Sequence, residues 1–168
     1  GDAANTGTNL VSAVISSEVD LTIKTARMTS STAMDLSAKD DLTLDGGVYI
    51  IGGGDVDLDA DSDSTGSGDF FYNNLAEITN DRIEASAGVV NITADDVHID
   101  GMIKVANSVN LMPRTSSTLG VGNHVSGEFD VDNSELANTV SGTMLTIGNE
   151  LITAATIDGA RYKESEMT

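Results

Sequence analysis

Apolar residues in this chain return as a two-beat unit, apolar–x–apolar, at short and nearly even steps. The unit reads Val19–Asp20–Leu21, Met34–Asp35–Leu36, Leu42–Thr43–Leu44, Val56–Asp57–Leu58, Val90–Asn91–Ile92, Val97–His98–Ile99, Ile103–Lys104–Val105 and Val109–Asn110–Leu111. It recurs at Leu119–Gly120–Val121, Phe129–Asp130–Val131 and Leu145–Thr146–Ile147. Alternation of period two marks an extended strand with one buried face. From Val90 to Leu111 the units begin at 90, 97, 103 and 109, steps too short for a crossover helix. Gly, Asn, Asp and Ser between the units bend the chain. Short strands that turn the same way each time predict a parallel β-solenoid, with about three strands and about twenty residues to a coil. About eight coils at roughly 4.8 Å each would make a rod of about 40 Å. Ile92, Ile99, Val105 and Leu111 are expected to face inward.

The pattern is interrupted in one place. Asp59, Asp61 and Asp63 lead into Ser64–Thr65–Gly66–Ser67–Gly68 and then Phe70–Phe71–Tyr72, which reads as a longer corner loop whose aromatics either fold back over an open edge, the favoured reading, or form a contact patch. Residues 74–87 are the only stretch with any helical patterning, and Thr79–Asn80–Asp81 breaks it. A loop excursion is therefore expected over about 59–82, with strands resuming at Ile83. Residues 1–168 read as a single solenoid segment of a longer repeat array, and the charged tail 161–168 is expected to fray.

Composition narrows the picture. Hydrophobic residues make up 39% of the chain but aromatics only 4%, and there is no Trp, as suits a narrow interior of stacked Val, Ile, Leu and Ala. A single Pro leaves a backbone N–H free to pair at nearly every rung, and 17 glycines serve tight corners. The net charge of −19, from 27 acidic against 8 basic side chains, disfavours nucleic acid and docking on an anionic membrane. No apolar run approaches the roughly 18 residues that span a bilayer, so membrane insertion is not expected. The absence of Cys excludes disulfides, thiolate zinc sites and a thiol nucleophile. A start at Gly1 without a signal-peptide core fits a processed product or an excerpt.

From Thr118 to Ala160 the text runs "TLGVGN", "GEFDVDNSELANTVSGTMLTIGNE" and "ITAATIDGA". It resembles a repeat of large filamentous-haemagglutinin-like surface proteins of bacteria. Ser134, Glu135, Leu136, Gly142, Thr143, Leu145, Thr146, Ile147 and Gly148 stand at the matching places. "MDLSAKDDLTLDGG" and "GVVNITADDVHIDG" look similar by pattern. The resemblance implies a right-handed parallel β-helix in a long exported adhesin, extracellular or on the bacterial cell surface. Its partners would be neighbouring repeats or copies, and surface glycans or proteins.

The sharpest candidate for chemistry is the series Asp55, Asp57, Asp59, Asp61 and Asp63. Alternation would put five carboxylates on one face, roughly 7 Å apart, where a Ca²⁺ ion could offset their repulsion. The calcium-solenoid nonapeptide is not met, because Asp55 follows Gly52–Gly53–Gly54 where Gly is required. The simpler expectation is a solvated acidic face. A carbohydrate-active β-helix enzyme is the least favoured function, since Arg27, Arg82, Arg114 and Arg161 share no motif and carboxylate pairs will meet glycosidase spacing by chance. No catalytic residue and no cofactor is expected beyond that calcium ion. His98 and His124 read as surface side chains, and Asn91, Asn110 and Asn107 as members of amide ladders between coils. The function expected is a structural and adhesive rod, with a self-assembling filament subunit as the alternative.

Overall fold

The computed structural model describes residues 13–74, 82–105, 107–123, 126–141 and 143–162. The first coil holds β1 (Ala13–Ser17), β2 (Leu21–Lys24) and β3 (Arg27–Ser30), and the second β4 (Met34–Ala38), β5 (Leu42–Asp45) and β6 (Tyr49–Gly52). The third holds β7 (Val56–Asp59), β8 (Phe70–Asn73) and β9 (Arg82–Ala85), and the fourth β10 (Val90–Ala94), β11 (Val97–Ile99) and β12 (Met102–Val105). The fifth is more elaborate: β13 (Ser108–Pro113), β14 (Ser117–Gly122), β15 (Phe129–Asp132), a short helix α1 (Asn133–Asn138) and β16 (Thr139–Ser141). β17 (Met144–Ile147) and β18 (Ile152–Asp158) begin a sixth.

On the three faces of the coil each strand pairs in parallel with its counterpart one coil away. The first face is the six-stranded sheet β1-β4-β7-β10-β13-β17, the second β2-β5-β8-β11, and the third β3-β6-β9-β12-β16. The chain is thus a parallel β-helix with three strands to a coil. The described residues form five coils and part of a sixth rather than eight, because the third and fifth coils carry insertions. The three pieces of text quoted from Thr118 to Ala160 contribute the strands of one further parallel sheet, β15-β14-β18.

The core follows from alternation. Met34, Val56, Val90 and Val109 form one inward column, and Leu36, Leu58, Ile92 and Leu111 the next; all eight are buried. Like side chains stacked at one strand spacing fill the interior without large aromatics, each contributing about 1.5–3 kcal/mol of burial. Ile99 and Val105 are buried as expected.

Phe70 and Tyr72 differ from expectation. They are fully buried in β8, below Leu42 and Leu44 of the coil before, and the Tyr72 hydroxyl donates to the Val48 carbonyl at 3.3 Å. Alternation, which governs Phe–Phe–Tyr as it governs any strand, sends only Phe71 outward. The corner excursion is therefore 60–69, and residues 75–81 lie outside the described residues. Val19 is also a correction: it is 66% exposed in a corner, and the inward pair of that strand is Leu21 and Ile23.

The helix α1 stands outside the expected pattern. Asp132 is its N-cap, accepting from the Ser134 and Glu135 backbone N–H groups, while Glu135 accepts from the Asp132 N–H. Such a reciprocal box starts a helix where alternation alone would continue a strand.

Candidate functional site

Because coils stack in register, outward side chains at equivalent positions form rows along the rod, and any site must be assembled from those rows. The aspartate series shows how this reorganises a linear motif. Asp57 and Asp59 point outward from β7, half-buried. At Asp61 the backbone turns left-handed, with φ 54°, and its side chain is buried. It accepts from the Thr65 and Gly66 N–H groups at 2.7 and 3.0 Å, closing the corner loop. Alternation therefore stops at Asp59, and the five carboxylates do not share a face. Asp55 accepts from the Val89 N–H at 3.0 Å, Asp59 pairs with Arg114, and Asp63 is exposed in the turn. Among the described residues no three His, Asp or Glu side chains converge as a metal site.

What the coil does bring together is a row on the first face: Asp35, Asp57, Asn91 and Asn110. The Asn110 amide donates to Asn91 Oδ1, and the Asn91 amide to Asp57 Oδ1, each at 2.7 Å. The expected amide ladder is present at Asn91 and Asn110, and Asn107 reaches back to the Ala87 carbonyl at 2.8 Å. Burial, and then the neighbouring Asp57 charge, raise the Asp35 carboxyl above its ordinary range.

The third face carries opposite chemistry. Arg27, Tyr49, Arg82 and Met102 form one outward row, with Thr29, Ile51, Glu84 and Lys104 beside it. Two guanidinium groups flank the Tyr49 ring, Arg27 at 5.1 Å and Arg82 at 4.9 Å from its centroid. Arg82 also donates to the Tyr49 hydroxyl at 2.7 Å and pairs with Glu84 at 2.8 Å. Sequence reading missed this row because Arg27 and Arg82 are far apart along the chain; a coil length read from the strand units would have aligned Arg27 with Tyr49. On the second face Phe71 and His98, on adjacent rungs, stack at 4.7 Å between ring centroids. His98 is exposed, as expected, and His124 lies outside the described residues.

The second face ends in a carboxylate junction. β15 follows β11, but side chains replace the backbone ladder between them. Asp96 Oδ1 accepts from the Val97 and Asp130 N–H groups, both at 2.9 Å. Glu135 Oε1 accepts from the Ile99 N–H at 3.1 Å, and the Asn138 amide donates to the Ile99 carbonyl at 2.8 Å. Burial pushes Asp96 up to about 6 and Glu135 up to about 7. A proton shared between buried carboxyls can serve acid–base chemistry, yet here both groups are engaged by strand N–H groups, which gives them a splicing role. Comparisons with protein-family models, curated proteins and solved structures give no match.

Proposed function

We propose that this chain is a structural and adhesive rod segment of a large exported bacterial surface protein, and that it works without catalysis. The observation that carries the reading is the row Asn110–Asn91–Asp57, bonded rung to rung along the first face. Outward polar groups, which a catalyst would leave free for substrate, here tie one coil to the next. The acid–Arg pair Asp59–Arg114 spans two coils in the same way. A stiff rod held at an exterior surface presents side-chain rows to surface glycans or proteins, and its neighbours are further coils or copies.

Two measurements test this. Antibody against the purified chain should label intact source cells without permeabilisation. The chain should release no product from uronate polymers, with or without Ca²⁺. Labelling confined to the cell interior, or steady product release, would overturn the reading.

A further inference from the structure

The second face holds one layer too many. In a regular coil every turn adds one strand to each face. A chain whose last strand, β18, follows β17 onto the second face should therefore carry equal numbers on the first and second faces. The first has six, β1-β4-β7-β10-β13-β17. The second has the four of β2-β5-β8-β11, then the three of the sheet β15-β14-β18 that continues it. β15 is the surplus: it comes after β14 in the chain, yet it lies between β14 and β11.

The seam beneath β15 bears the mark of this. In a parallel ladder an N–H faces a carbonyl. Here N–H groups face one another, Val97 and Ile99 on β11 against Asp130 and Asp132 on β15. Asp96 Oδ1 accepts from Val97 and Asp130, and Glu135 accepts from Ile99 at Oε1 and from Asp132 at Oε2. No backbone hydrogen bond joins β11 to β15 among the described residues. β14 has what a regular neighbour of β11 needs. Ser117 and Leu119 are buried and share the spacing of Val97 and Ile99. The corner before β14, residues 114–116, has the length of the corners 18–20 and 39–41. Residues 123–125 would reach β16 as residues 46–48 reach β6.

We propose that β15 and α1, residues 126–138, are a displaceable wedge, and that β14 exchanges its seat on β15 for one directly on β11. The rod then has two packings at this level. With the wedge out, β14 and β18 each drop one layer and the second face matches the first. Burial of Phe129, Val131 and Leu136 holds the wedge in, so the wedge-out packing is the minor one. The ladders β10-β13-β17 and β12-β16 run unbroken past the seam, so the other two faces hold the rod together during the exchange.

The chain has no cysteine, so an introduced pair can trap the exchange as a disulfide. The wedge-out register sets Thr118 beside His98, and both are exposed. With the wedge in they are two layers apart, about 9.6 Å, beyond the ~7 Å that a disulfide spans between Cα atoms. In the full chain His98→Cys/Thr118→Cys should close slowly under mild oxidant, read by peptide mass spectrometry. Adding Glu135→Ala/Asn138→Ala, which strips the side-chain partners from Ile99, should speed closure roughly tenfold or more. Phe71→Cys/His98→Cys, on adjacent rungs, should close at once. Thr22→Cys/Phe71→Cys, with Thr43 between them, should stay open. A Thr118 pair that stays open with and without Glu135→Ala/Asn138→Ala would overturn the proposal. Equal closure of the Thr22 pair would overturn it too, because the trapping would then report general unfolding. As a second variant, the chain lacking residues 126–138 should close the Thr118 pair as fast as the Phe71 control; a folded deletion variant that stayed open would rule out the β11–β14 register.

Discussion

Ile99 and His98 are adjacent in β11 and face opposite ways, so they separate the interior from the surface at one rung. Ile99 is 1% exposed and stacks on Tyr72; Ile99→Ala should cost about 2–4 kcal/mol, transfer and cavity terms together. His98 is exposed and stacks on Phe71, so His98→Ala should cost about 0.5–1 kcal/mol. Chemical denaturation that gave equal losses would contradict the register. Asn91 is the middle link of its row: Asn91→Ala removes both bonds and should cost about 1–2 kcal/mol. Asn91→Asp instead places a third carboxylate beside Asp57 and Asp35 and removes the amide donor. Its loss should be larger in dilute buffer and recover in part with NaCl, a dependence that Asn91→Ala should lack. Gly101 shows why some corners admit no side chain, since a Cβ there would strike the Tyr72 ring. These residue-level roles were legible in the sequence wherever alternation ran undisturbed, as it does from Val90 to Leu111. They were not legible at Asp61, whose left-handed backbone is set by the loop it closes, nor for Arg27 and Arg82, which only the coil places on one row.

Among the elements, β8 and α1 departed from expectation, each for its own reason. β8 was hidden because three adjacent aromatics after a Gly/Ser run imitate a surface patch. α1 was hidden because it is short and defined by its cap; the Asp132–x–x–Glu135 spacing was the available signal. That cap and the junction it supports govern the pH response. Burial raises Glu135 to about 7 and Asp96 to about 6, both above the ordinary carboxyl range of an unfolded chain. Between those ordinary values and the raised ones the folded state binds more protons than the unfolded state, so stability falls as pH rises. Melting temperature should therefore increase on acidification from pH ~7.5 to ~5. Glu135→Gln removes one of the two titrations and should flatten the upper part of that slope, between about pH 5 and 7. An unchanged slope in Glu135→Gln would show that Glu135 does not contribute to the titration of the junction. The Asp132 carboxyl behaves oppositely. Although burial raises it, the Ser134 hydroxyl and the Glu135 and Ser134 N–H groups hold it below its ordinary value. Its cap is lost only in stronger acid, which limits the gain from below.

At the scale of the whole molecule the dominant fact is charge, −19 on 168 residues, and the arrangement of partners decides how cations act on it. Asp57 already accepts from Asn91 and Asp59 pairs with Arg114. Added salt accordingly works on the remainder: Asp35 against Asp57, and the exposed acids of the corners. Screening predicts that NaCl raises the melting temperature, and that CaCl₂ at matched ionic strength does little more. The mutants should then diverge. Asp57→Asn relieves the repulsion on Asp35 and retains an acceptor for Asn91, so it should leave stability unchanged or slightly raised. Asp59→Asn strips the partner from half-buried Arg114 and should cost about 1–2 kcal/mol. A calcium site spread over these aspartates predicts the reverse pattern. It would give saturable stabilisation that persists in strong NaCl and disappears in both mutants alike, because each would lose a ligand. Thermal melts of the three proteins in NaCl and in CaCl₂ distinguish the two. The bonds that Asp57 and Asp59 make along the rod place the expected result on the side of screening.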